Sequence, residues 1–333
     1  HAIKRFDTRP TKNGWRTEIM LRRKEKGIMP LDLVFRLRDG SSAKAVIPVS
    51  PQVKNEPDLI ILPKWYGWGT FNDTYGETLL LADKPLSVEI DPSQRIADSY
   101  LLDNASSLPD IDISPVWKWN CPLDKYKIHW YPKLWYNDID GLQLGAQFRG
   151  GYLNENEFGK HQVQFSPSVG LNFPQYPLSY VFSWQEPIHK LPYASFIKLT
   201  SYVQYGYGQH GITYTQKLGT HAWRSGETSF LNLGIRFSRM YDTSYLWTSG
   251  LWNDKPLNTV KIQYQNNYRF GPQNLSRGMF QMSLINSIPG TSEMFSKLIM
   301  ESIQYIHFSK LKIRLREIFG YSTSPIPAAE AFY

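Results

Sequence analysis

The 333-residue sequence has one cysteine, Cys121. That excludes an internal disulfide framework and cannot by itself make a zinc site. No run of about 18 apolar residues occurs, so no helix is expected to cross a bilayer. No signal peptide is read in the sequence, residue 1 is His rather than Met, and the chain stops at Ala331-Phe332-Tyr333 in what reads as the start of a strand. The expectation is a fragment cut at both ends. Helical periodicity is missing throughout. So is H-E-x-x-H, which sets two histidines one helical turn apart on a zinc ion. The seven histidines (His1, His129, His161, His189, His210, His221, His307) are never closer than 11 residues, and none precedes a glutamate. No catalytic residue and no metal or cofactor ligand is expected in this chain.

What is abundant is aromatic. Residues 1–120 hold 11 of the 49 aromatic residues, and residues 121–333 hold 38. Charge runs the other way: net +1 over the first 120 residues, net +7 over the rest, within a total of +8. A densely charged surface thus gives way to an aromatic-rich, mildly basic region near residue 120. Lysine and arginine are dispersed, except at 22–26 (R-R-K-E-K), which reads as a solvated hairpin tip. A nucleic-acid partner is not expected.

Residues 258–270 (N-T-V-K-I-Q-Y-Q-N-N-Y-R-F) set the pattern for the second region. Val260, Ile262, Tyr264, Tyr268 and Phe270 share one parity, and Lys261, Gln263, Gln265, Asn267 and Arg269 the other. Successive strand side chains point to opposite faces. One face is therefore apolar and one strongly polar, as when lipid lies outside and water within. Similar alternation recurs at 141–150, 178–185, 228–239 and 311–321; 194–207 and 211–218 read as a hairpin around 206–209, 278–288 and 300–308 as further strands, and 161–171 as a weaker one. Pro167 implies a bulge or an edge. These make about ten strands, the visible part of an outer-membrane β-barrel over 138–333.

Residues 1–107 carry short strands (19–21, 31–37, 42–49, 78–81, 86–90) and turns at Asp39-Gly40 and Asp91-Pro92. They are expected to form a β-sandwich of about seven strands. Residues 108–137, with three prolines in 108–123, read as a linker. The full fold expectation is all-β: a small sandwich, then a partial antiparallel membrane barrel.

Two resemblances follow. P-L-D-L-V-F-R-L-R-D-G at 30–40 and V-E-I-D-P-S-Q-R-I-A-D-S-Y-L-L-D-N at 88–104 resemble the β-sandwich after the catalytic domain in zinc aminopeptidases of the membrane alanyl aminopeptidase type. The resemblance implies a zinc peptidase domain upstream of residue 1, where zinc and a peptide substrate would bind. Asp98 and Asn104 would close the last sandwich strand through side-chain bonds to backbone. The N-D-I-D-G-L-Q-L-G stretch at 137–145 resembles the first strand of surface-antigen, BamA-like barrels. As a calcium loop it lacks the ligands an EF-hand needs, so a polar turn is the expectation.

The functional expectation is a non-catalytic outer-membrane anchor, with membrane lipid as partner and the sandwich in the periplasm. The alternative is a transport or assembly barrel whose sandwich binds a partner. A soluble sugar-binding protein stacking on Trp223, Trp247 and Trp252 ranks last, because its apolar rows would face water. Arg236, Lys261, Arg269, Lys312, Arg314 and Arg316 should line the lumen and favour anions. Trp117, Trp119, Trp130 and Trp135 should sit at the membrane interface. Glu155, Glu157, His210 and His221 have no visible reaction partner. One conflict stands: a periplasmic sandwich puts the longest connection, 240–257, on the periplasmic side, unless a strand near 241–247 is missing from the count or the sandwich lies outside.

Overall fold

A computed structural model describes residues 1–327 except 25–26, 51–55, 67–70, 97, 99–100, 119–123, 152–160, 173–176, 189–194, 219–227, 247–253, 272–274, 292 and 309. Cys121, Trp119, Glu155, Glu157, His189, His221, Trp223, Trp247, Trp252 and the last six residues lie outside the described set. Two units are distinct: 1–112 with 120–127, and 113–119 with 128–333. Among the described residues regular structure is almost wholly β, with two short 3-10 turns.

The first unit has seven strands: β1 (Ala2–Thr11), β2 (Gly14–Arg22), β3 (Leu31–Leu37), β4 (Ser42–Ile47), β5 (Leu59–Ile61), β6 (Thr74–Leu81) and β7 (Pro85–Ile90). They form two sheets, ordered β1-β2-β6 and β5-β4-β3-β7. Alternation decides what is buried. On β3, Leu31, Leu33, Phe35 and Leu37 point into the core while Asp32, Val34 and Arg36 do not. Ile19 and Leu21 of β2, Tyr75, Leu79 and Leu81 of β6, and Val88 and Ile90 of β7 meet them in one apolar cluster. Full burial of each such side chain contributes roughly 1.5–3 kcal/mol.

Turn chemistry holds the ends. Gly40 takes φ +86°, and the Asp39 carboxylate accepts from Ser41 Oγ (2.6 Å) and Ser41 N (2.9 Å). Those bonds hold the Asp39 carboxyl below its usual pKa. After β7 the Asp91 carboxylate accepts from Ile96 N at 2.6 Å and Ser93 Oγ at 3.1 Å. Asp98 faces the amino group of His1 at 2.6 Å. The role expected of Asn104 needs correction. Asn104 bonds Ile90 N through its backbone carbonyl, while its buried side-chain oxygen has no hydrogen-bond partner among the described residues.

The second region is one sheet of twelve strands: β8 (Asp110–Pro115), β9 (Lys125–Asn137), β10 (Gly141–Gly151), β11 (Gln162–Gly170), β12 (Leu178–Pro187), β13 (Phe196–Gln204), β14 (Tyr207–Leu218), β15 (Thr228–Met240), β16 (Leu257–Phe270), β17 (Ser276–Ser287), β18 (Ser296–Phe308) and β19 (Leu311–Ser322). Their order in the sheet is their order in the chain, and every pair from β10 to β19 is antiparallel. The expected linker at 108–137 therefore holds β8 and the 13-residue β9 instead. In β9, aromatics on both parities (Trp130, Tyr131, Trp135, Tyr136) hide the alternation, and Pro132 reads as a break. Asp110 pairs with Lys125 and Asp112 with Lys127, so β8 and β9 advance in the same direction.

The sheet is all-β and antiparallel-rich as expected, and among the described residues it is not closed into a barrel. The sheet ends at β19 on one side and β8 on the other, and these do not pair among the described residues. It is nonetheless curled. Tyr245, after β15, donates to Asp140 in the β9–β10 turn at 2.5 Å. Five strand spacings of about 4.8 Å would part β10 from β15 by roughly 24 Å if the sheet were flat.

Three local expectations resolve. The 137–141 stretch is a turn: Asn137 Oδ1 accepts from Ile139 N (3.0 Å) and Asp140 N (2.8 Å), and Gly141 has φ +66°. Pro167 lies at neither an edge nor a bulge. Its register with β12 is unbroken, and the gap from its missing N–H falls on the β10 side, between Gly145↔Ser168 and Phe148↔Phe165. The β13–β14 hairpin turns at Tyr205-Gly206, both with positive φ, slightly ahead of the expected 206–209.

Candidate functional site

Directly paired residues share a face, so the register walks each face strand by strand. From β11 to β16 one unbroken row reads Val163, Trp184, Leu199, Ile212, Ile235, Val260. The neighbouring row, on the opposite face, reads Arg149, Gln164, Ser183, Thr200, Gly211, Arg236, Thr259 from β10 to β16. The row on its other flank reads Gln162, Gln185, Lys198, Thr213, Gly234, Lys261.

Burial is inverted relative to the first unit. Leu233, Ile235 and Phe237 of β15 are 40%, 40% and 46% exposed, while Gln143, Gln185, Thr215, Thr259 and Ser283 on the polar face are all below a tenth. The polar face is the enclosed one, and the apolar face looks outward. That arrangement leaves a contiguous apolar surface on the outward face.

Glycines on the outer face let aromatic rings lie flat against the sheet. A Cβ at Gly278 would fall 2.3 Å from the Tyr268 ring, and one at Gly208 2.4 Å from Tyr241. Gly278→Ala should displace Tyr268 and destabilise the sheet by about 1–3 kcal/mol. The check is urea unfolding in detergent beside Gly27→Ala in the first unit, where an added Cβ meets nothing within 4 Å and the backbone needs no positive φ.

All six cations expected inside share the polar face by register, but in two groups, and Arg269, Lys312, Arg314 and Arg316 are exposed. Arg236 and Lys261 sit mid-sheet; Lys297 of β18 joins them through Lys261↔Ile285↔Lys297. Arg269, Lys312, Arg314 and Arg316 cluster toward the β18–β19 turn, and Arg316 donates to Glu301 at 2.8 Å. Sequence reasoning missed Arg149, Lys198, Arg277 and Lys297 on this face. Lys297 and Arg277 precede the strand starts read at 300 and 278; Arg149 was visible as the polar neighbour of Phe148.

A cavity of about 210 Å³ opens on the enclosed face, lined by Arg149, Gln162, Gln164, Ser183, Gln185 and Lys198. Beside it the Gln147 amide lies between Tyr131 and Arg149, whose guanidinium is 5.9 Å from the Tyr131 ring. In the first unit a cavity of about 280 Å³ borders β7 and 101–110. At the opposite end of the sheet from the β18–β19 turn, Asp140 accepts from Asn137, Gln143 and Tyr245. Burial, then the bond to Asp140, pushes the Tyr245 hydroxyl above its ordinary pKa.

The expected interfacial tryptophans part company. Trp117 is exposed and packs edge-on against Trp130 at 5.9 Å. Trp135 is exposed but shares parity with Tyr131, on the polar side of β9. His210 faces outward in a chain, Tyr180 Oη to Ser201 Oγ (3.0 Å) to His210 Nδ1 (2.8 Å). Among the described residues no cluster of three or more His, Cys, Asp or Glu could hold a metal ion. No family model matches this sequence, and comparison with curated proteins and with solved structures likewise finds no match.

Proposed function

We propose that the second unit is a lipid-embedded antiparallel sheet that anchors the chain in a bacterial outer membrane. Its outer face contacts acyl chains and its enclosed face contacts water. The six-strand row Val163–Trp184–Leu199–Ile212–Ile235–Val260 carries the reading. A half-exposed Leu or Ile in water forfeits burial worth about 25 cal/mol per Å², and lipid supplies that burial. Length agrees: β9 to β19 run from 9 to 14 residues, against about 9–11 needed to span when tilted.

Counting from β9 supports a periplasmic start. The chain enters β9 at the end opposite the 241–256 connection, so a periplasmic start puts that connection outside. Residues 241–247 carry no strand among those described; 243–245 is a 3-10 turn. The sandwich resemblance supports a peptidase-like parent, with this chain as its non-catalytic anchor. A cationic enclosed face supports the second reading, a barrel that passes anions. Flotation tests the anchor. The purified chain should rise with phosphatidylcholine vesicles in a density gradient and resist extraction by high salt; recovery as a folded monomer without detergent would end the membrane reading.

A further inference from the structure

We infer that Arg269, Arg277 and Arg314, grouped around Tyr305, form a binding site for a phosphate-bearing ligand on the polar face of the sheet. Register carries the argument. Arg269 pairs with Arg277, Arg277 with Tyr305, and Tyr305 with Arg314, so four neighbouring strands place them in one row. The guanidinium carbons of Arg277 and Arg314 lie 4.9 Å and 5.7 Å from the Tyr305 ring centre. The ring pins two cations that would otherwise swing apart into water.

This row is costly as it stands. Cα atoms directly opposite across antiparallel strands are about 4.5–5.5 Å apart, and like charges there destabilise a sheet. No ion pair relieves Arg269, Arg277 or Arg314 among the described residues. The carboxylate on this face of β18, Glu301, is taken by Arg316. Lys312, paired with His307 one step along the same face, adds to the positive field.

A doubly charged oxyanion offsets that repulsion. Guanidinium groups bind phosphate through paired N–H donors, and phosphate carries about −1.5 to −2 at neutral pH. A singly charged carboxylate would neutralise half as much. By register the row shares the polar face of Arg236 and Lys261, and all three arginines are exposed to solvent, so a soluble phosphate-bearing ligand fits better than a headgroup reached from the outer face. The site needs the sheet to fold but does not rest on what covers the apolar face, so it stands or falls apart from the membrane reading.

The test is thermal unfolding of the detergent-folded chain, titrated with inorganic phosphate at constant ionic strength set by chloride. The midpoint should rise with phosphate and saturate. Arg277→Gln should show two opposite effects: a higher midpoint than the parent without phosphate, and half-saturation shifted at least tenfold. Arg314→Gln should repeat both, and Lys64→Gln in the first unit should change neither. A second arm compares phosphatidylcholine vesicles with and without phosphatidic acid, no free phosphate present. A rise lost in Arg277→Gln only in that arm assigns the phosphate to lipid. The inference is overturned if both arms lack an Arg277-dependent rise, or if chloride alone reproduces it.

Discussion

Ile212→Lys or Ile235→Lys should block insertion of the second unit into lipid vesicles, whereas Thr200→Lys should leave insertion intact. Ile212 and Ile235 are directly paired near the middle of β14 and β15, both on the outward row. A lysine near the bilayer midplane costs about 2–4 kcal/mol when it faces lipid. That is a large share of a typical net stability of roughly 5–15 kcal/mol. Thr200 is one residue along from Leu199 on β13, on the enclosed face between Ser183 and Gly211. Lysine there stays in water. The readout is the folded, heat-modifiable band on a gel after mixing urea-unfolded chain with vesicles. Equal folding of all three variants would mean that the outward row does not meet lipid.

The second large effect belongs to the first unit. Phe35→Ala should lower its stability by about 3–5 kcal/mol. Phe35 is fully buried at the centre of β3, paired with Ala43 on β4 and Val88 on β7. No small side chain beside it can fill the space. Leu80→Ala on β6 removes an exposed side chain and should cost little. Hydrogen exchange in the full-length chain localises the result: amides of β3, β4 and β7 should lose protection in Phe35→Ala alone, and those of β14–β18 should keep theirs.

The contrast between these substitutions is also where the sequence was informative. Two-residue periodicity in 31–37 and in 228–239 looks alike on paper, yet Leu33 is buried and Leu233 is 40% exposed. The difference lay in the opposite parity. On β3 the outward partners are Asp32, Val34 and Arg36, few of them on a short strand. On β15 and β16 the partners (Asn232, Arg236, Lys261, Gln263) are polar over 13 and 14 residues, too long for a small sandwich. Parity thus put Arg236, Lys261, Arg269, Lys312, Arg314 and Arg316 on one polar face, as the register does, but did not tell which of them are exposed.

Other features could not be read this way. Strand β9 carries aromatics on both parities, which periodicity scores as noise. Closure depends on pairing between the first and last strands, a contact that local pattern does not encode, so the periodicity that gave a partial barrel left open whether its edges meet; among the described residues they do not. The arginine row around Tyr305 was invisible for a similar reason. Arg269, Arg277, Tyr305 and Arg314 belong to four strands, and only register brings them level. Asn104 shows the limit of reasoning from a side chain's usual habit, since its backbone carbonyl, not its amide, closes the strand.

Nitroxide labels placed one at a time from 231 to 237 on β15, in a chain reconstituted into vesicles, test the central claim most directly. Labels at Leu231, Leu233, Ile235 and Phe237 should be relaxed by oxygen and shielded from a nickel chelate. Those at Asn232, Gly234 and Arg236 should show the reverse, giving an oscillation of period two. Nickel access at Leu233 and Ile235 equal to that at Gly234 would contradict a lipid-facing outer row, and the anchoring role would go with it.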